Sequence, residues 1–95
     1  MDIADLVARL GVLTTDLASK YQQRGDTLAE KIKAESAAWS NLSDRAVTER
    51  RETARAAGAH YEALIAKDNG EIQALETEMA YLRTVIDCKI ARLLP

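Results

Sequence analysis

The sequence predicts an all-α protein made of long amphipathic helices, and three observations lead to this prediction. Alanine, leucine, glutamate, lysine, arginine and glutamine, which all favour helices, fill most of the 95 residues. Glycine occurs four times and proline once, so signals for turns or strands are few. Apolar residues recur at spacings of three and four, which places them on one face of a helix. We therefore expect a single α-helical domain over residues 1–95, either an antiparallel helical hairpin or a three-helix, coiled-coil-like bundle.

The first helix is predicted over residues 2–24. Its apolar stripe consists of Ile3, Leu6, Leu10, Leu13, Leu17 and Tyr21. Gly25 suits the left-handed position that follows a helix end. The segment 27–30 then fits a capping box, in which Thr27 would accept from the Glu30 amide. These signals predict that a second helix begins near residue 27.

The central helix is predicted over residues 27–67, because its apolar residues keep their helical spacing on both sides of the polar segment 40–44. The stripe consists of Leu28, Ile32, Trp39, Leu42, Ala46, Thr53, Ala57, His60 or Tyr61, and Leu64. The alternative is a break at 40–44, where Asn41, Ser43 and Asp44 are all competent helix caps.

The last helix is predicted over residues 71–94, after the turn signal Asn69-Gly70. Its heptad seam consists of Ile65, Ile72, Met79, Ile86 and Leu93, with Leu75 and Leu82 at the companion position. A weaker apolar strip on the opposite face consists of Ala74, Tyr81, Val85 and Cys88. A helix with two apolar faces usually has two neighbours, so we expect a homodimer or a higher oligomer. The predicted interface residues are Ile72, Leu75, Met79, Leu82, Ile86 and Leu93 on the seam, Tyr81 and Val85 on the strip, and Trp39.

The residues that most often carry chemistry give no sign of an active site. His60 is the only histidine and has no second ligand at metal-binding spacing, so we interpret it as a partly buried helix residue. Cys88 is the only cysteine, and we interpret it as a small buried apolar residue. Trp39 is interpreted as a core anchor, with an interface hot spot as the alternative. Since no catalytic, metal-binding or nucleotide-binding motif occurs, we expect neither an enzyme nor a cofactor.

The basic cluster consists of Arg45, Arg50, Arg51 and Arg55. Glu49 and Glu52 lie between these arginines, and the net charge of the chain is −2. Helices that bind nucleic acid normally present basic residues without interleaved acids. The pattern therefore favours a solvated helix surface with Glu–Arg pairs, and weak nucleic-acid binding stays an alternative.

The tripeptide Trp39-Ser40-Asn41 resembles the Trp-x-Gly turn of the WXG100 (ESAT-6-like) family of small secreted helical-hairpin proteins. Asn41 stands in place of the family's glycine. The family's secretion motif, Tyr-x-x-x-Asp/Glu, is missing, because Tyr81 is followed four residues later by Val85. One of three motif elements matches, and the family is an alternative.

These patterns together predict a non-enzymatic protein-interaction module, a small adaptor or inhibitor that binds a protein target and also self-associates. The N-terminus carries acids where a signal peptide needs basic residues, and no apolar run is long enough to span a membrane. We therefore expect a cytoplasmic protein without a membrane partner, and export without a cleaved signal stays open.

Overall fold

The computed structural model describes residues 2–94, which form two long helices. Helix α1 spans Ile3–Asn41 and helix α2 spans Val47–Leu93, and residues 42–46 form the turn that joins them. No strand occurs among the described residues. The predicted all-α class is confirmed, and the hairpin alternative agrees with the structure. The prediction of three helices at 2–24, 27–67 and 71–94 is wrong.

Helix α1 passes through Gly25, where the sequence predicts an end. Gly25 has no positive φ, and the Thr27 hydroxyl donates to the Gln23 carbonyl at 3.0 Å, as it does inside a helix. A glycine inside a helix costs about 1 kcal/mol relative to alanine. Ending one helix and starting another would leave up to about eight backbone groups without helical partners. The helix therefore continues, and the capping box at Thr27 has no free amides to cap.

Helix α2 likewise passes through Asn69-Gly70, and the break at 42–46 overlaps the alternative segment 40–44. The Asn69 side chain accepts a hydrogen bond from Arg24 Nη1 on α1 at 2.7 Å, so it links the helices and does not form a turn. Helix α1 ends at Asn41, next to the polar residues that the sequence marks as competent caps. At the start of α1, Asp2 Oδ1 accepts from the Asp5 amide at 2.8 Å and caps the helix.

The chain divides into two compact regions, and each helix contributes to both. The terminal region contains the described residues 2–21 and 70–94. Its buried apolar residues, each 8% exposed or less, are Leu6, Leu13, Ile72, Met79, Leu82 and Ile86. Leu10, Leu17, Leu75 and Val85 are partly buried against this core. The large aliphatic side chains of the described chain are therefore buried mainly here.

The helices of the terminal region run antiparallel, and polar pairs border their apolar contact. Arg9 forms an ion pair with Glu78 at 3.1 Å, and Lys20 forms one with Glu71. These residues are a third to nearly half exposed, so each pair contributes little to stability by itself.

The turn region contains residues 22–69, and no large apolar side chain is buried in it. Its two buried residues are Gly58 and Asp68. The half-buried positions of α1 include Thr27, Lys31 and Ala34. The region's large apolar residues Trp39, Tyr61 and Ile65 are only half-buried, so the turn region has a thinner apolar core than the terminal region.

Candidate functional site

The predicted seam of the last helix is covered by the chain's own first helix. Met79, Leu82 and Ile86 form one buried cluster with Leu6 and Leu13 of α1. Ile72 is also buried, and Leu75 is partly buried beside the cluster. In this fold these residues pack within the chain, so a partner would reach them only if the helices separated. Their proposed contact with a second protein stays a prediction.

The other predicted interface residues of α2 differ in exposure. Val85 is partly buried against the core, whereas Tyr81 is 67% exposed and Leu93 is 74% exposed. Cys88 is exposed, so its predicted burial is wrong. His60 is exposed with its ring 5.4 Å from that of Tyr61, so its predicted partial burial is also wrong. Both residues lie on solvent-exposed faces of α2.

Trp39 is half-buried near the end of α1, and Arg50 of α2 covers its ring. The Arg50 guanidinium carbon lies 3.9 Å from the ring centroid, and Arg50 Nε donates to the Trp39 carbonyl at 3.2 Å. A guanidinium stacked on an indole ring is attracted by the negative ring face. Arg50 therefore joins the two helices beside the turn, and its charge is engaged within the chain.

A groove of about 290 Å³ lies in the turn region, which we call the turn groove. Its lining residues are Lys31, Glu35, Trp39, Arg51, Ala54, Arg55 and Glu62. Helix α1 supplies the first three of these residues and α2 supplies the rest. The turn groove is therefore a shallow channel between two helices, with charged side chains on both walls.

Lys31 is neutralised by two carboxylates within the turn groove. Its Nζ lies 3.3 Å from Glu62 and 3.4 Å from Glu35. The hydrogen bond with Glu62 raises the pKa of Lys31 above its ordinary value, and Glu35 adds to this effect. Both acids of the turn groove thus compensate the lysine.

Arg51 and Arg55 stand one helical turn apart on the α2 wall, and we call them the basic pair. Neither forms an ion pair or hydrogen bond with another described residue, whereas Arg45 lies 3.8 Å from Glu49. The four clustered arginines therefore have different surroundings. The expected Glu–Arg pairing is present for Arg45, and with the basic pair the turn groove has three cations against two carboxylates.

An exposed apolar surface adjoins the turn groove on α1. Leu28 is 46% exposed and Ile32 is 57% exposed. Leu28, Ile32, Glu35 and Trp39 follow one another at spacings of four, three and four, so they share one helix face. We call Leu28, Ile32 and Trp39 the α1 flank. In the turn region the apolar stripe is thus turned partly to solvent at Leu28 and Ile32, and half-buried at Trp39.

Asp68, which precedes the turn signal Asn69-Gly70 in the sequence, is a buried residue of α2. It is 2% exposed, its Oδ1 accepts from Gln23 at 3.2 Å, and its Oδ2 has no partner among the described residues. The sequence spacing indicates that Asp68 lies on the inner face of α2, because residues 61, 65, 68, 72 and 75 follow one another at spacings of four and three. Asp68 therefore occupies a core position with a carboxylate.

Metal-binding groups and membrane-spanning helices were both sought among residues 2–94. No group of three or more histidine, cysteine, aspartate or glutamate side chains is placed to hold a metal ion in residues 2–94. Neither described helix is apolar enough over a sufficient length to cross a membrane. Comparison of the chain with protein-family models, with curated proteins and with solved structures finds no match.

Proposed function

We propose that this chain is a non-enzymatic protein-binding module, a small adaptor or inhibitor, that engages its protein target through the α1 flank. The observation that carries the proposal is the exposure of Leu28 and Ile32 beside the half-buried Trp39. Adjoining exposed apolar side chains are costly in water and are frequent at protein-binding sites. Tryptophan is also among the residues that dominate binding energy at such sites.

The shallow geometry of the turn groove supports binding over catalysis. Enzyme sites usually enclose most of the substrate and exclude water from the reacting groups. The charged residues Lys31, Glu35 and Glu62 engage one another in a channel that is open to solvent. A partner protein can cover such a channel over its length, so a binding surface suits it better.

The proposal is tested by site-specific photocrosslinking in the native host. A photoreactive amino acid at Ile32 is expected to capture a discrete protein, because Ile32 lies on the α1 flank. The control places the same amino acid at Gln73, which is exposed on α2 in the terminal region. Equal capture from both positions, or none from Ile32, would contradict the proposal.

Self-association is the second part of the proposed function. Its support is the apolar surface that the terminal region leaves exposed, which includes Val7 at 51%, Tyr81 at 67% and Leu93 at 74%. We expect light scattering at micromolar concentration to give at least twice the monomer mass of 10.4 kDa. A stable monomer under these conditions would remove this part of the proposal.

A secreted helical-hairpin protein similar to the WXG100 family is the other candidate function. The turn begins directly after Trp39-Ser40-Asn41, which is the position that the resemblance requires. This candidate predicts that the chain accumulates in the culture medium of its host. Finding it only in cell lysates would count against secretion.

A further inference from the structure

We propose that the occupant of the turn groove is an acidic amphipathic helix of a partner protein, which lies along the groove between α1 and α2. This inference rests on the proposed function and specifies the chemistry of the partner. The turn groove combines the basic pair on one wall with the α1 flank beside the other wall. A matching ligand carries carboxylates beside an apolar stripe.

The charge of the turn groove favours an acidic ligand. Lys31 is compensated by Glu35 and Glu62, whereas Arg51 and Arg55 have no acidic partner among the described residues. The groove is therefore net positive on a chain whose net charge is −2. Arginine also binds carboxylates with two parallel hydrogen bonds, which gives orientation as well as attraction.

The spacing of the basic pair favours a helical ligand. Arg51 and Arg55 are four residues apart on α2, so they rise about 6 Å along the helix axis. Two acids four residues apart on a ligand helix have the same separation and can meet both guanidinium groups. A third helix in the groove would also cover Leu28 and Ile32, since three helices bury an apolar stripe that two leave exposed.

A nucleic acid fits the turn groove less well than an acidic helix. Glu35 and Glu62 line the same channel, and a phosphate backbone would bring closely spaced negative charges beside both. An acidic helix can place its carboxylates at the basic pair and its apolar residues near the α1 flank. The mixed charge of the groove walls therefore favours an acidic helix over a nucleic acid.

The test uses the full chain and two synthetic amphipathic peptides of about 18 residues, long enough for roughly five helical turns. The first peptide carries leucine at spacings of three and four with glutamate on the adjoining positions. The second has glutamine in place of every glutamate. Neither contains tryptophan, so Trp39, the only tryptophan of the chain, reports binding at the turn groove through its fluorescence.

We expect the glutamate peptide to shift the Trp39 fluorescence and to bind about tenfold or more tightly than the glutamine peptide. The variant Arg51→Ala/Arg55→Ala should lose this preference. The matched control, Arg83→Ala/Arg92→Ala, removes two exposed arginines from the terminal region and should keep it. Equal binding of the two peptides to the unmodified chain would overturn the proposal.

Charge reversal separates recognition from any effect on folding. Arg51→Glu/Arg55→Glu should prefer a lysine version of the peptide, a gain that an unfolded chain would not make. No gain for the lysine peptide would overturn the inference, and so would tighter binding of a short single-stranded DNA or RNA than of the glutamate peptide. Capture from Ile32 that persists in Arg51→Ala/Arg55→Ala would overturn the acidic partner and keep the proposed function.

Discussion

The terminal region and the turn region are built from the same two helices but differ in what fills the space between them. In the terminal region the inner positions hold large aliphatic side chains such as Leu13, which is 1% exposed. In the turn region the comparable positions include Lys31, Ala34 and Asp68. The free energy gained by burial rises with the apolar area removed from water. The terminal region therefore supplies most of the stability, whereas the turn region buries little apolar area and contains the turn groove, where we propose binding.

The sharpest test of this comparison is the same substitution in each region of α1. Leu13→Ala removes a fully buried side chain and is expected to lower the free energy of unfolding by about 2–5 kcal/mol. Leu28→Ala removes a side chain that is 46% exposed and should cost at most about 1 kcal/mol. Urea unfolding followed by circular dichroism measures both values. Similar losses would show that the two regions do not differ in this way.

The buried carboxylate of the turn region should respond to replacement by an apolar residue. Asp68→Leu removes an acceptor oxygen that has no partner and adds apolar contact, at the loss of one hydrogen bond from Gln23. We expect a gain of about 1–2 kcal/mol in the free energy of unfolding. The control is Asp87→Leu, which makes the same exchange at an exposed position of α2. A gain no larger than that of the control would contradict the buried position of Asp68.

Substitutions at Gly25 and Gly58 test whether α1 is continuous at Gly25 and whether α2 is crowded at Gly58. Gly25→Ala is expected to stabilise the chain by about 0.5–1 kcal/mol, because a helical glycine with open space around it gains from a methyl group. A methyl group at Gly58 would overlap the Glu35 carboxylate, which would have to move. Gly58→Ala should therefore gain less. Destabilisation by Gly25→Ala would favour the predicted helix end at this position.

The smallest effect concerns the protonation of Lys31. Because the folded chain raises the pKa of Lys31, the stabilisation it gives is present at neutral pH and is lost as the pH rises through that raised pKa. The difference in urea midpoint between the unmodified chain and Lys31→Gln should therefore shrink as the pH rises from about 10.5 through the raised pKa. A difference that stays constant over this range would show that the ion pairs with Glu35 and Glu62 do not contribute.

The sequence predicts the helical class and the core of the terminal region correctly, and physical reasons explain this success. Leu6 and Leu13 are large and continue a stripe with Leu10 and Leu17 at spacings of four and three, so their periodicity identifies a buried face. Ile72, Met79 and Ile86 do the same on α2. In both cases side-chain volume and spacing agree.

The helix boundaries could not be predicted, because local turn signals do not reveal whether a helix has reason to end. Gly25 and Asn69 occur inside helices here. The actual turn follows Asn41, in a segment through which the apolar residues keep their helical spacing. The turn groove could not be predicted for the same reason. Lys31 can face Glu62 only when the chain reverses near residue 44, so an incorrect turn hides the pairing.

Small half-buried residues of the turn region, such as Ala34, Ala54 and Ala57, do little to fix the alignment of the two helices. The Lys31–Glu62 ion pair restricts this alignment. A shift of α2 by one heptad would exchange the apolar seam residues for equivalents seven positions away. In one direction this shift would set Arg55 beside Lys31 in place of Glu62, so that two cations meet, and in the other direction it would set the neutral Asn69 there. Together with the short turn at 42–46, this arrangement selects one alignment of the helices among several that the apolar seam would accept.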